Sequence, residues 1–213
     1  MNPDRGAWIP DPAQRGDLLV FAERALRLDE SAVIRLRTRS DGLLGAWVST
    51  GFGVLAARVV VGTVRPDDIT CAADRFAVGL RAAGGSGYVD PGYPMDSAWR
   101  GAIPPEVGFV HLDDVPATVL TELARSGADL AREHSGPQGP PPSLLDQEVL
   151  QVDSGMEVVA VPMRCVMALA AMGFISEAAG DVVRVRATPA WLRIDARFGS
   201  VFRRRGDPLL LLG

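Results

Sequence analysis

Val182-Val183-Arg184-Val185-Arg186, followed by Ala190-Trp191-Leu192 and by Phe198-Gly199-Ser200-Val201, decides the fold, because the same order recurs near the other end of the chain. There, Val33-Ile34-Arg35-Leu36-Arg37 precedes Ala46-Trp47-Val48 and Phe52-Gly53-Val54-Leu55. Each copy follows an apolar stretch with helical spacing, Leu18 to Leu28 in the first and Met163 to Ile175 in the second. The match is gapped, with Phe five positions after Trp in one copy and seven in the other. Within the strands, Ile34 and Leu36 alternate with Arg35, Arg37 and Arg39, the period of two expected of an antiparallel sheet covered on one face. The expected fold is α+β: a mainly antiparallel sheet from two pseudo-repeated helix-β-β-β units, with helices on one face.

A chain of 213 residues, 47% hydrophobic, has enough apolar side chains for one large domain or two small ones. No apolar run approaches the roughly 18 residues of a membrane helix. Met1-Asn2-Pro3-Asp4-Arg5 lacks the basic-then-apolar order of a signal peptide, so a cytoplasmic protein is expected. Cys71 and Cys165 lie far apart in apolar, helix-patterned surroundings and read as reduced thiols in the core. No metal-finger spacing occurs, and neither a metal nor a cofactor is expected.

All 22 basic residues are arginine, and Asn2 is the sole asparagine; a GC-rich genome depletes lysine and asparagine codons together. Charge is segregated: residues 1–66 sum to +2, 67–158 to −10 and 159–213 to +4. Such segregation suits distinct surfaces on the folded chain.

Several local signals organise the remainder. Asp17 reads as the N-cap of the first helix, and Ser40-Asp41-Gly42 as a turn. Pro66-Asp67-Asp68 reads as the opening of a helix carrying Ile69, Ala72, Ala73, Phe76 and Leu80, stopped by Gly84-Gly85. Residues 84–105 form a long loop holding both tyrosines and Trp99. A strand from Gly108 to Leu112 leads through Asp113 or Asp114, as N-cap, into a helix ending near His134. Ser135 to Pro142 reads as a semi-rigid linker. The division expected is therefore an N-terminal region 1–134, a linker 135–143, and a C-terminal region 144–213 opening on a hairpin about Asp153-Ser154-Gly155, unless all form one globular domain. Gly173 followed by Phe174 reads as a left-handed helix stop.

Three sets of residues carry candidate chemistry. If the repeated strands share a face, Arg35, Arg37, Arg184, Arg186, Arg193 and Arg197 gather with Trp191, a composition typical of partner surfaces and of base-stacking platforms. The same arginines could equally be solvated in pairs with Asp195 and its neighbours. In the loop, Tyr93, Trp99 and Arg100 offer an aromatic and cationic tip. Asp90, Asp96, His111 and Asp114 compose the alternative catalytic set, a carboxylate and imidazole pocket under the 84–105 loop. Arg203-Arg204-Arg205, ahead of Asp207-Pro208 and four leucines, is the third set, after the sheet face and the loop. No nucleophile elbow, phosphate loop or zinc-protease signature accompanies them. The function expected is a non-catalytic intracellular adaptor for a protein partner, using Tyr93, Trp99, Arg100, Trp191, Arg193 and Arg197. An enzyme is the alternative, and nucleic-acid binding, disfavoured by a pI near 5.2, the weaker one. A homodimer is compatible with the sequence.

Overall fold

The computed structural model describes residues 5–134, 141–153, 155 and 158–206. The chain divides into two compact units, one holding residues up to Gly51 with Ala57–Glu106, the other Phe52–Ala56 with the chain from Val107 onward. The division departs from the boundary expected at 135–143, of which residues 135–140 lie outside the described residues. Its cause is strand pairing: Val110–Pro116 hydrogen-bonds to Val182–Ala187, which draws residues 107–134 into the second unit.

In the first unit the order is β1 (Gly6–Trp8), α1 (Pro12–Leu28), β2 (Val33–Thr38), β3 (Leu44–Ser49), β4 (Leu55–Val60), β5 (Thr63–Arg65), β6 (Asp68–Ala72), α2 (Ala73–Ala82) and β7 (Tyr88–Val89), then a 3-10 turn at Asp96–Ala98. The second unit contains β8 (Val110–Pro116), α3 (Ala117–His134), α4 (Pro142–Leu145), β9 (Glu148–Asp153), β10 (Val158–Pro162), α5 (Met163–Ala171), β11 (Val182–Ala187), β12 (Trp191–Ala196) and β13 (Gly199–Arg204).

The two units are α+β and mostly antiparallel, and the repeat seen in the sequence is present: α1-β2-β3-β4 and α5-β11-β12-β13 have the same order. It extends further than the sequence pattern indicates. Outside β2 lies β6, which runs into α2; outside β11 lies β8, which runs into α3. The strand ahead of α1 pairs with the strand after α2, and the strand ahead of α5 pairs with the strand after α3. Each unit therefore joins a strand-helix-meander to a strand-helix-strand, in opposite chain order.

Parity along the strands sets the core. Ile34 and Leu36 of β2, with Ile69 and Cys71 of β6, are buried, as are Leu18, Phe21, Phe76 and Leu80 from the two helices of that unit. Val183 and Val185 of β11 and Leu192 and Ile194 of β12 do the same in the second unit with Leu120, Val166 and Leu169. Burial of a leucine- or phenylalanine-sized side chain contributes about 1.5–3 kcal/mol, so these paired sets dominate the stability of each unit. Among the described residues, no helix is long and apolar enough to cross a membrane.

Local signals held in part. Gly173 has φ +61°, Phe174 N–H donates to Leu169 O at 2.9 Å and Gly173 N–H to Ala170 O at 2.9 Å, the Schellman end of α5. The hairpin pairs Asp153 with Val158, and Gly155 N–H donates to Asp153 Oδ1 at 2.7 Å. The first helix starts earlier than expected: Asp11, not Asp17, is its N-cap, accepting from Ala13 N–H at 2.8 Å with Pro12 in the first position. Asp17 instead pairs with Arg58. The segment after Pro66 begins as a strand, because Asp68–Ala72 completes the open edge of β2, and Cys71 accordingly lies in β6 rather than in a helix. Asp113 and Asp114 are strand residues too, so neither caps α3.

Candidate functional site

The outer side of β8, β11, β12 and β13 carries the polar set of the second unit. Register places Arg184 opposite Asp195, Arg186 opposite Arg193, Arg193 opposite Phe202 and Trp191 opposite Arg204. Asp195 is the hub. Its side chain, 15% exposed, accepts from Arg186 Nη1 at 2.6 Å, Arg193 Nε at 2.7 Å and Ser200 Oγ at 2.5 Å. The Arg193 guanidinium also lies 5.5 Å from the Phe109 ring centre and 5.4 Å from that of Phe202, within cation–π range of both.

These contacts sort the expected binding residues. Arg193 is enclosed and neutralised, and Trp191 is 8% exposed with the Arg204 guanidinium 5.8 Å above its ring. Arg197 remains open, its side chain 58% exposed and 3.8 Å from Asp181 Oδ1. Arg184 is exposed, with its Nε 3.8 Å from Asp114 Oδ1. Arg197 in the β12–β13 turn and Arg184 on β11 are thus more exposed than Arg193, which belongs to an ion-pair network about Asp195.

In the first unit, Arg35 donates to both oxygens of Asp68, at 2.7 and 2.6 Å, and Arg37 Nε is 3.9 Å from the same carboxylate. The Asp68 hydrogen bond raises the Arg35 pKa above its usual value despite partial burial. Trp99 stacks on Arg35, whose Cζ is 5.7 Å from the ring centre, and its Nε1–H donates to Gly101 O at 3.0 Å. Tyr93 is 85% exposed, and Arg100 is exposed with no ion-pair partner among the described residues.

The alternative catalytic set is spread over both units. Asp90 Oδ1 accepts from Gly92 N–H at 2.9 Å and Asp96 Oδ1 from Thr70 N–H at 2.7 Å, so both carboxylates cap backbone in the first unit. His111 Nε2 lies 3.7 Å from Asp114 Oδ1 on the exposed face of β8 in the second. Among the described residues no group of three or more potential ligands could hold a metal. Sequence reasoning missed Phe109, Phe202, Asp68 and Thr70. Phe109 and Phe202 give no local signal: register sets Phe202 opposite Arg193, and Phe109, just ahead of β8, brings its ring to the same guanidinium.

Residues 2–101 match the family described as a domain of unknown function, DUF8010, and residues 104–208 match another, DUF8185. The seam between the matches falls close to the division of the compact units. No curated protein matches the chain. Among solved structures, the DNA polymerase sliding clamp of Bacillus subtilis superposes with a TM-score of 0.61 at 10% identity, covering 94% of this chain and 64% of its own. The clamp of Caulobacter crescentus gives 0.56 at 14% identity, covering 98% and 68%. That of Pseudomonas aeruginosa gives 0.56 at 12%, covering 98% and 67%. This chain thus spans roughly two thirds of the clamp chains, and at such identities the likeness is one of architecture: by fold, it is similar to bacterial DNA polymerase sliding clamps.

Proposed function

We propose that this protein is a cytoplasmic, non-catalytic binding scaffold that recognises a protein partner through arginine and aromatic side chains. The observation that carries the reading is the clamp-like fold over 94–98% of the chain. Two further features support it. Asp90 and Asp96 each accept a backbone N–H, which gives both carboxylates a structural role in holding the loop. Tyr93 and Arg100 in one unit and Arg197 in the other stand exposed, residue types enriched at partner interfaces. Trp99, Trp191 and Arg193 act as rigid supports rather than as contact tips. Affinity capture from the native host, run in parallel with Arg100→Ala and Arg197→Ala, tests the proposal. A partner recovered by the wild type and lost with either variant supports it; identical recovery in all three overturns it.

DNA binding is the second reading, favoured by the naming of the similar structures as DNA polymerase clamps. Charge argues against a strong effect, because Arg75 and Arg81 on α2 stand beside Asp74 and Glu23. Fluorescence anisotropy with duplex DNA decides the matter: affinity falling steeply with salt supports DNA binding, and no binding at low salt removes it.

A further inference from the structure

Thr70 is the midpoint of β6, the outermost strand beside β2, and is 2% exposed although it stands at a sheet edge. The segment after β7 accounts for this. Thr70 N–H donates to Asp96 Oδ1 at 2.7 Å, and Thr70 O accepts from Met95 N–H at 2.9 Å and from Arg5 Nη2 at 3.1 Å. Arg5 also donates to Gly92 O, and Trp99 closes the segment against Arg35. Both backbone groups that Thr70 turns away from β2 are thus taken by residues 92–99 and Arg5. An unpaired edge is a template for another chain, and covering it is one way folded proteins manage that hazard.

The equivalent edge in the second unit is closed by other means. Between the pairs Val185–Asp113 and Arg186–His111 the register of β8 shifts, leaving Leu112 as the extra residue of a bulge. Asp114 N–H is turned back onto Asp113 Oδ1 at 2.8 Å. A bulge and adjacent charges both oppose strand addition. β6 has no bulge, and its one charged residue, Asp68, stands at its first position and is held by Arg35; its sequence Asp68-Ile69-Thr70-Cys71-Ala72 is symmetric in length about Thr70. In an antiparallel pair of two copies centred there, Thr70 faces Thr70, Ile69 faces Cys71, and Asp68 faces Ala72, so no like charges meet and a favourable Thr–Thr pair forms.

We propose that residues 92–99 are a strap that occupies the pairing edge of β6, and that its release lets β6 pair with β6 of a second copy of this chain. Asp96 is the latch on one side and Arg5 on the other.

Asp96→Ala and, separately, Arg5→Ala test this on the full chain. Expected for Asp96→Ala is about tenfold faster exchange of the Thr70 amide, the change due to losing a hydrogen bond to a charged acceptor. Sedimentation should show weight-average mass rising with concentration above the wild-type curve, while Asp96→Asn, which keeps the acceptor, behaves as wild type. Thr70→Cys in the Asp96→Ala background should cross-link copies under oxidation, and Thr70→Cys alone should not. Cys71 faces the core, so its continued unreactivity shows the fold intact. Faster exchange without added association, or association without the Thr70 cross-link, overturns the proposal. If Asp96→Ala exposes Cys71, Arg5→Ala decides by the same criteria. If both expose it, the segment is a folding element and the strap is refuted.

Discussion

Gly79 of α2 lies directly against the carbonyl oxygen of Asp90: a Cβ at position 79 would stand 2.2 Å from that atom. The neighbour is backbone, held by the turn that Asp90 forms with Gly92, and cannot rotate away. Gly79→Ala is therefore expected to destabilise the protein by about 2 kcal/mol or more, outweighing the ~1 kcal/mol that alanine normally gains inside a helix. Gly16 in α1 is the internal contrast, since a Cβ there meets nothing within 4 Å. Gly16→Ala should stabilise by up to about 1 kcal/mol. Thermal melts of the two variants should shift in opposite directions.

Both thiols are expected to be inert in the native state. Burial pushes Cys71 and Cys165 up to about 12, with the neighbouring Arg5 and Arg203 only partly offsetting it. At pH 8 about one thiol in ten thousand is then ionised, and the thiolate is the reactive form. Native protein should react with a thiol reagent at the rate of unfolding, and both cysteines should react promptly in denaturant.

Arg193→Gln should cost stability rather than binding. It removes the cation between Phe109 and Phe202 and one donor to Asp195, while Arg186 and Ser200 remain to satisfy the carboxylate. The expected loss is about 1–2 kcal/mol, read from denaturant midpoints, with the Arg186→Gln, Arg193→Gln double variant losing more than the sum because Asp195 is then left nearly unpaired.

Glu106 should contribute an acid-sensitive component. Its carboxylate accepts from Ser40 Oγ at 2.5 Å and Ser40 N–H at 2.8 Å, and these bonds hold its pKa below the ordinary 4.5. The native value lies below the unfolded one, so the stabilisation is full above pH 4.5 and is lost as pH falls through the native value. The Tm difference between wild type and Glu106→Gln should be visible at pH 7 and shrink on acidification below that range.

Trp99→Ala and Arg100→Ala should separate support from contact. Trp99 stacks on Arg35, which is fixed by Asp68, so its removal should lower Tm by several degrees. Arg100→Ala should leave Tm nearly unchanged, since that side chain is exposed and makes no ion pair among the described residues.

The sequence by itself determined the elements whose signal is local. Alternation of aliphatic residues with arginine made β2 and β11 strands, the Gly173-Phe174 pair ended α5, and the recurring Trp and Phe-Gly positions marked the repeated meanders. Tertiary structure alone decided what depends on the partner across the sheet. Ile69, Ala72 and Ala73 fit a helical stripe running on to Phe76 and Leu80, and only the unpaired edge of β2 made Asp68–Ala72 a strand. Asp113 and Asp114 look like a helix cap in sequence, yet pairing with β11 holds them extended. The same applies to the site: composition named Trp191 and Arg193, but tertiary packing placed Arg204 over one and set the other between Phe109 and Phe202, leaving Arg197 open. Periodicity specifies which face of an element is apolar; which element covers that face is a long-range contact that no local pattern encodes.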